Sequence, residues 1–138
     1  MIDGLDRMMQ FQTDALRLRS HRQELLSANI ANADTPNYKA VDFDFGRALA
    51  NATGLQNPAA GAQAVQLAAT APGHSGSTTL SSLPPQVQYR TAAQASVDGN
   101  TVEMDSERAQ FAENAVRYEA ALKFLNGQIK TMLSAIQS

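Results

Sequence analysis

Met104, Arg108, Phe111, Ala115, Tyr118, Leu122, Leu125, Ile129, Met132 and Ile136 follow one another at alternating spacings of four and three. An α-helix puts such a series on one face. A seam sustained this long needs a second helix beside it. Arg108 is its one charged member. Glu103, Asp105 and Glu107 cluster at its start and Lys130 lies near its end, as the helix dipole favours. Asp105 is the expected N-cap, with Met104 and Ala109 placed for a hydrophobic staple. Residues 101–138 therefore read as one long helix.

The partner is in the first 34 residues. One 3-4 series there runs Ile2, Leu5, Met9, Leu16, Leu26, Ile30 and Ala33, with Gln12, Arg19 and Gln23 at its other places. A second, offset by one residue and so about 100° round the helix, runs Met8, Phe11, Ala15, Leu18 and Leu25. The expected pair core is Leu5, Met9, Leu16, Leu26 and Ile30 against Phe111, Tyr118, Leu122, Leu125, Ile129, Met132 and Ile136. The chain goes out through a middle excursion and returns, so the pair is antiparallel. The fold class is mainly α, an antiparallel coiled coil with a loop-rich middle carrying short β-strands. Met8, Phe11, Leu18 and Leu25 are then left over. A leftover apolar stripe on a helix is either covered by the rest of the domain or marks a surface for another chain; the middle is short of large apolar residues, so this one is the expected subunit interface.

Residues 35–100 differ in kind. Between Arg47 and Arg90 there is no Asp, Glu, Lys or Arg, and Ala, Gly, Ser, Thr, Gln and Pro dominate. Such a stretch has little to bury. At its edges, residues 41–45 alternate at period two, with Asp42 and Asp44 on the outer face, and residues 87–91 are a second strand candidate.

Chemistry is absent where composition would have to supply it. The chain has no cysteine, hence no disulfide or thiolate site. Its two histidines, His21 and His74, lack a second metal ligand at helical spacing. No phosphate loop or nucleophile motif is present. The net charge is −2 and no basic run exists to track phosphates. The expectation is a non-enzyme with no cofactor or metal, no nucleic-acid partner and no small-molecule substrate. Neither a cleavable signal nor a transmembrane run is expected.

The stretch Ser27-Ala-Asn-Ile-Ala-Asn-Ala-Asp-Thr-Pro-Asn-Tyr-Lys39 ends the first helix with Asn29 and Asn32 on one face, and then a turn. Asn29 and Asn32 are expected to bond adjoining helices at the interface. Asp34, Thr35, Pro36, Asn37 and Tyr38 stop the helix and redirect the chain. This stretch resembles the N-terminal signature of bacterial flagellar rod, hook and hook-associated proteins, a helix ending Asn-Ile-Ala-Asn followed by Thr-Pro-Gly-Tyr. Asp98-Gly-Asn-Thr-Val-Glu-Met-Asp105, with Glu107-Arg-Ala-Gln-Phe-Ala-Glu-Asn114 and Arg117-Tyr118, narrows it to the basal-body rod proteins of the proximal kind. Asn37 stands where that pattern has glycine; it is the next best residue for the positive φ a type II turn needs.

The resemblance implies a structural subunit of the flagellar rod, whose terminal helices line a tubular shaft that transmits torque and encloses an export channel. It implies assembly with self copies, other rod proteins, a rod-base adaptor and inner-membrane ring or export-gate components. It also implies a periplasmic place reached through flagellar type III export, without a cleaved signal. The alternative use of such a surface is a helical adaptor or chaperone of that export.

Overall fold

The computed structural model describes residues 2–54, 85–91 and 96–137. Most of the uncharged middle, with His74, lies outside them. The elements are α1 (Ile2–Ala31), β1 (Val41–Asp42), α2 (Phe45–Ala52), β2 (Gln88–Tyr89) and α3 (Met104–Gln137). The long terminal helices pack on each other and the short elements dock on their flank. Three contacts fix the direction of the pair: Asn29 bonds Glu107, Gln23 bonds Asn114, and Met8 meets Gln128. As α1 is climbed α3 is descended, so the two are antiparallel.

The seam is not where the apolar series placed it. Glu107, Asn114 and Gln128 face α1, and they form a row one residue N-terminal to the expected row of Arg108, Ala115, Leu122, Ile129 and Ile136. The α3 face is therefore rotated from the expected one. Leu122 and Ile136 are 36% and 82% exposed and do not belong to the pair core; Leu5, 37% exposed, lies at its edge. Leu26 is fully buried, while Met9, Leu16, Ile30, Phe111, Tyr118, Leu125, Ile129 and Met132 are half-buried. Glu107 and Asn114 are 1% and 2% exposed, more buried than most of the apolar residues beside them. Rotation brings these polar groups to partners. It also explains Arg108, which is simply outside the seam and exposed.

Two local expectations change. Residues 41–45 are not one strand. β1 stops after Asp42, because Asp44 caps a new helix: its side chain accepts from Arg47 N at 3.0 Å and its carbonyl from Ala48 N at 2.9 Å. α2 was not foreseen. It lays Ala48 and Phe45 toward α1, with the Arg19 guanidinium 4.5 Å over the Phe45 ring, and ends at Thr53 before Gly54, whose φ is 67°. Nor is Asp105 the N-cap of α3. The helix starts at Met104, and Glu107 N bonds Glu103 O at 2.9 Å, which makes Glu103 the cap position.

β1 and β2 pair antiparallel, Val41 opposite Tyr89 and Asp42 opposite Gln88. Two residues per strand cannot hold a sheet alone. What holds it lies at the junction of α1 and α3.

Candidate functional site

The junction begins where α1 ends. Asn32 to Tyr38 form consecutive turns: Thr35 N bonds Asn32 O at 3.0 Å, and Tyr38 N bonds Thr35 O at 3.3 Å across Pro36 and Asn37. Asn37 has φ 61°, the left-handed conformation that the Pro-Asn pair requires. The segment then zips onto the strand-like stretch ahead of α3. Asn37 N donates to Asp98 O (2.9 Å), Thr101 N to Tyr38 O (3.1 Å), Ala40 N to Thr101 Oγ1 (2.8 Å) and Lys39 Nζ to Gly99 O (2.6 Å). Asn100, 6% exposed, aims its Nδ2 at the carbonyls of Asn32, Ala33 and Thr35, all within 3.0 Å, and caps the end of α1 from a distant part of the chain. The Asn-rich stretch and Asp98-Gly-Asn, far apart in sequence, are two halves of one unit.

Gly99 is needed there. Its φ is +73°, and a Cβ on it would lie 2.7 Å from Asn37 Oδ1. Gly99→Ala is expected to lower stability by about 1–2 kcal/mol, the usual strain of a left-handed non-glycine residue. Urea denaturation against the parent protein measures it.

Asn29 is the next layer. It is 0% exposed. Its amide treats the Val41 backbone as a neighbouring strand would: Nδ2 donates to Val41 O at 2.8 Å, and Oδ1 accepts from Val41 N at 3.0 Å. Nδ2 also donates to Glu107 Oε2 at 3.1 Å, and Tyr38 OH donates to Oδ1 at 3.3 Å. Two donors and two acceptors are all used. The structure thus removes Asn29 from the expected subunit interface, since no face of it reaches a neighbour. Asn32 does lie near the surface, and its Nδ2 donates to Ala28 O at 2.8 Å within its own helix end.

Beside Asn29 is a cluster of two guanidiniums and two carboxylates drawn from four parts of the chain. Arg22 of α1 grips Asp42 of β1 through Nε and Nη2, at 3.0 and 2.8 Å. Arg90, just after β2, bonds the same carboxylate and also Glu107 of α3, the latter at 2.6 Å. Gln110 Oε1 accepts from both arginines, at 3.0 Å from Arg22 and 2.6 Å from Arg90. Charge balances within the cluster, the condition for burying it. Burial pushes the Asp42 carboxyl up, but hydrogen bonds from Arg22, Arg90 and Phe43 N outweigh that and hold it below its ordinary value of 3.8. The Asp42 hydrogen bond likewise raises Arg22 against the opposing effect of burial.

A stability window follows. The unfolded chain takes up the Asp42 proton before the folded one does. The stabilisation is complete above the ordinary aspartate value and is lost as pH falls through the lower folded value. Acid unfolding should therefore include a component below that ordinary value which Asp42→Asn lacks. A parallel acid titration of the two proteins by circular dichroism checks it; identical profiles would remove Asp42 from the account.

Each carboxylate of the cluster is neutralised by arginine, and the described residues include no group of three His, Asp or Glu able to hold a metal. His21 stacks on Phe43 at 5.7 Å and meets Glu24 at 3.5 Å. Sequence reasoning missed Arg22, Asp42, Arg90, Glu107 and Gln110. The only signal available was polar residues at seam spacing in α3, Glu107 and Asn114, which resemble interruptions.

The far end of the helix pair has the opposite character. Met8, Phe11, Leu122, Phe124, Leu133 and Ile136 are exposed there, by 41, 38, 36, 57, 52 and 82%. Leu5, Met8, Lys123, Phe124, Gly127, Gln128, Thr131 and Met132 line a shallow groove between the helices. Met8 is therefore shared with α3 rather than left over. Leu18 and Leu25 lie half-buried along the α1 flank. The molecule thus joins a fastened polar junction to a bare apolar end.

The chain resembles known proteins over its whole length. A family profile described as "Flagella basal body rod protein" matches residues 9–39. The chain is 46% identical over 138 residues to "Flagellar basal body rod protein FlgB" of Escherichia coli (strain K12), covering 100% of this chain and 99% of that one. The protein of the same name from Salmonella typhimurium is 44% identical over 137 residues, 99% and 98% of the two chains. That from Buchnera aphidicola is 37% identical, covering 99% of each.

Proposed function

The chain belongs to the FlgB family of flagellar basal-body rod proteins, and from that premise we infer how its helix pair serves as a structural subunit of the rod. The observation that carries the inference is the apolar end. Each large apolar side chain there stabilises by about 1.5–3 kcal/mol on full burial, which one chain alone leaves unrealised. Neighbouring subunits complete that burial. The polar junction meanwhile fixes how the middle segment leaves the pair, so that subunits stack with one geometry. A continuous packed shaft of this kind passes torque along itself and leaves its axis free for export.

The neighbours are copies of this chain and other rod proteins. At the rod base they extend to an adaptor and to inner-membrane ring or export-gate components. The protein works in the periplasm after type III export. It acts by assembly, not by catalysis. A transient adaptor or chaperone has no specific observation in its favour.

Phe11, Leu18 and Leu25 share one flank of α1, spaced by seven. Phe11→Asp, Leu18→Asp and Leu25→Asp are expected to abolish motility and recovery of the protein with detergent-washed basal bodies. Phe11→Asp should leave monomer solubility and helicity intact, because the residue is already partly in water. Normal motility in all three would show that this flank makes no contact in the assembly.

A further inference from the structure

Gly127 is unexplained by its own chain. It lies inside α3, where glycine is a poor helix former, yet a Cβ built on it would meet nothing within 4 Å. Neither tight packing nor a left-handed backbone accounts for it. It does form part of the floor of the open groove, with Leu5, Met8, Phe124 and Met132 around it. A helix glycine beside open space has no Cβ to hold another helix away and so permits its close approach.

The same molecule carries a matching projection. Leu133 and Ile136, three apart and so on one face at the tip of α3, are 52% and 82% exposed. No charged residue occurs between Thr131 and Gln137, and the only charged residue lining the groove is Lys123. Tip and groove cannot meet within one chain, since both lie along one helix that rises 1.5 Å per residue. Resting on the rod-subunit reading, we propose that the groove at Gly127 receives the Leu133–Ile136 tip of α3 from a second copy of this chain. The contact is head-to-tail: each copy gives a tip and takes one. Such heterologous contacts propagate into a ring or a helical stack instead of closing as a two-fold dimer.

The chain has no cysteine, so single cysteines report the contact without background. Lys123→Cys lies at the groove rim and Ile136→Cys on the tip. Within one helix they are about 20 Å apart, too far for a disulfide. Basal bodies from cells expressing both single-cysteine copies should yield a disulfide-linked dimer, and cells expressing either copy alone should not. Gly127→Leu, which fills the groove while improving helix propensity, should keep the circular dichroism of the monomer and lose incorporation. Absence of the mixed dimer from basal bodies that contain both copies would overturn the head-to-tail seat, as would a dimer of Ile136→Cys alone or normal incorporation of Gly127→Leu. Absence of the cysteine-free parent from basal bodies would instead overturn the rod-subunit reading beneath it.

Discussion

Glu107→Ala is expected to destabilise the folded subunit by about 3 kcal/mol, the lower part of the range for breaking a buried ion pair. Glu107 is 1% exposed, while Arg90 keeps a quarter of its side chain in water. Removal of the carboxylate leaves Arg22 and Arg90 sharing Asp42 alone. One positive charge is then uncompensated at the junction, and Asn29 Nδ2 loses one of its acceptors. Glu113→Ala is the contrast. Its ion pair with Arg117 lies on the surface of α3, with both side chains more than half exposed. Such pairs contribute about 0–1 kcal/mol. Urea denaturation followed by far-UV circular dichroism compares the two. Equal losses would mean that the buried cluster is no more than surface electrostatics. Glu107→Gln should fall between them, because it keeps an acceptor for Arg90 while losing the charge.

Asn29→Ala should be as severe, at about 2–4 kcal/mol, for a different reason. It leaves Val41 N and Val41 O, both paired only through that amide among the described contacts, without their partner. A buried backbone group without a partner costs about 1–3 kcal/mol. Asn32→Ala, whose bonds lie at an exposed helix end, should cost under about 1 kcal/mol. Asn29→Asp separates hydrogen bonding from cavity formation. It is nearly isosteric, still accepts from Val41 N, but cannot donate to Val41 O and sets a second carboxylate against Glu107. It should therefore destabilise about as much as the alanine variant. A subunit in which Asn29 and Asn32 variants behaved alike would restore the reading of these asparagines as an interface pair.

The two asparagines show how far one-dimensional reading reaches. Their spacing placed both on one helix face, and that is correct for the backbone. One then turns inward to serve β1, while the other stays at the helix end. Nothing within residues 29–32 distinguishes them. The difference is the arrival of residues 38–41 and of Glu107, which come from other parts of the chain.

The α3 seam gives the same lesson. Met104, Phe111, Tyr118, Leu125 and Met132 are half-buried, in keeping with an apolar series at helical spacing. The alternate row was misread for a physical reason. Leu122 and Ile136 look like core in isolation, and Glu107, Asn114 and Gln128 look like solvent. The preference reverses once polar partners are available across the interface. Asn114 Nδ2 finds Arg19 O at 2.9 Å and Gln23 Oε1 at 2.6 Å, and Glu107 finds Arg90 and Asn29. A polar residue in a helix seam sets register at some cost in stability. The displaced Leu122 and Ile136 stay exposed.

Local patterns by themselves determined the two long helices and the turn at Pro36-Asn37. Each rests on interactions between residues a few positions apart. Tertiary structure alone decided which face of α3 meets α1, that Asp44 opens a helix instead of ending a strand, and that Arg22, Asp42, Arg90 and Glu107 converge. Those outcomes depend on charges and amides separated by tens of residues finding each other, and a hydrogen bond across the fold leaves no periodic trace in the sequence.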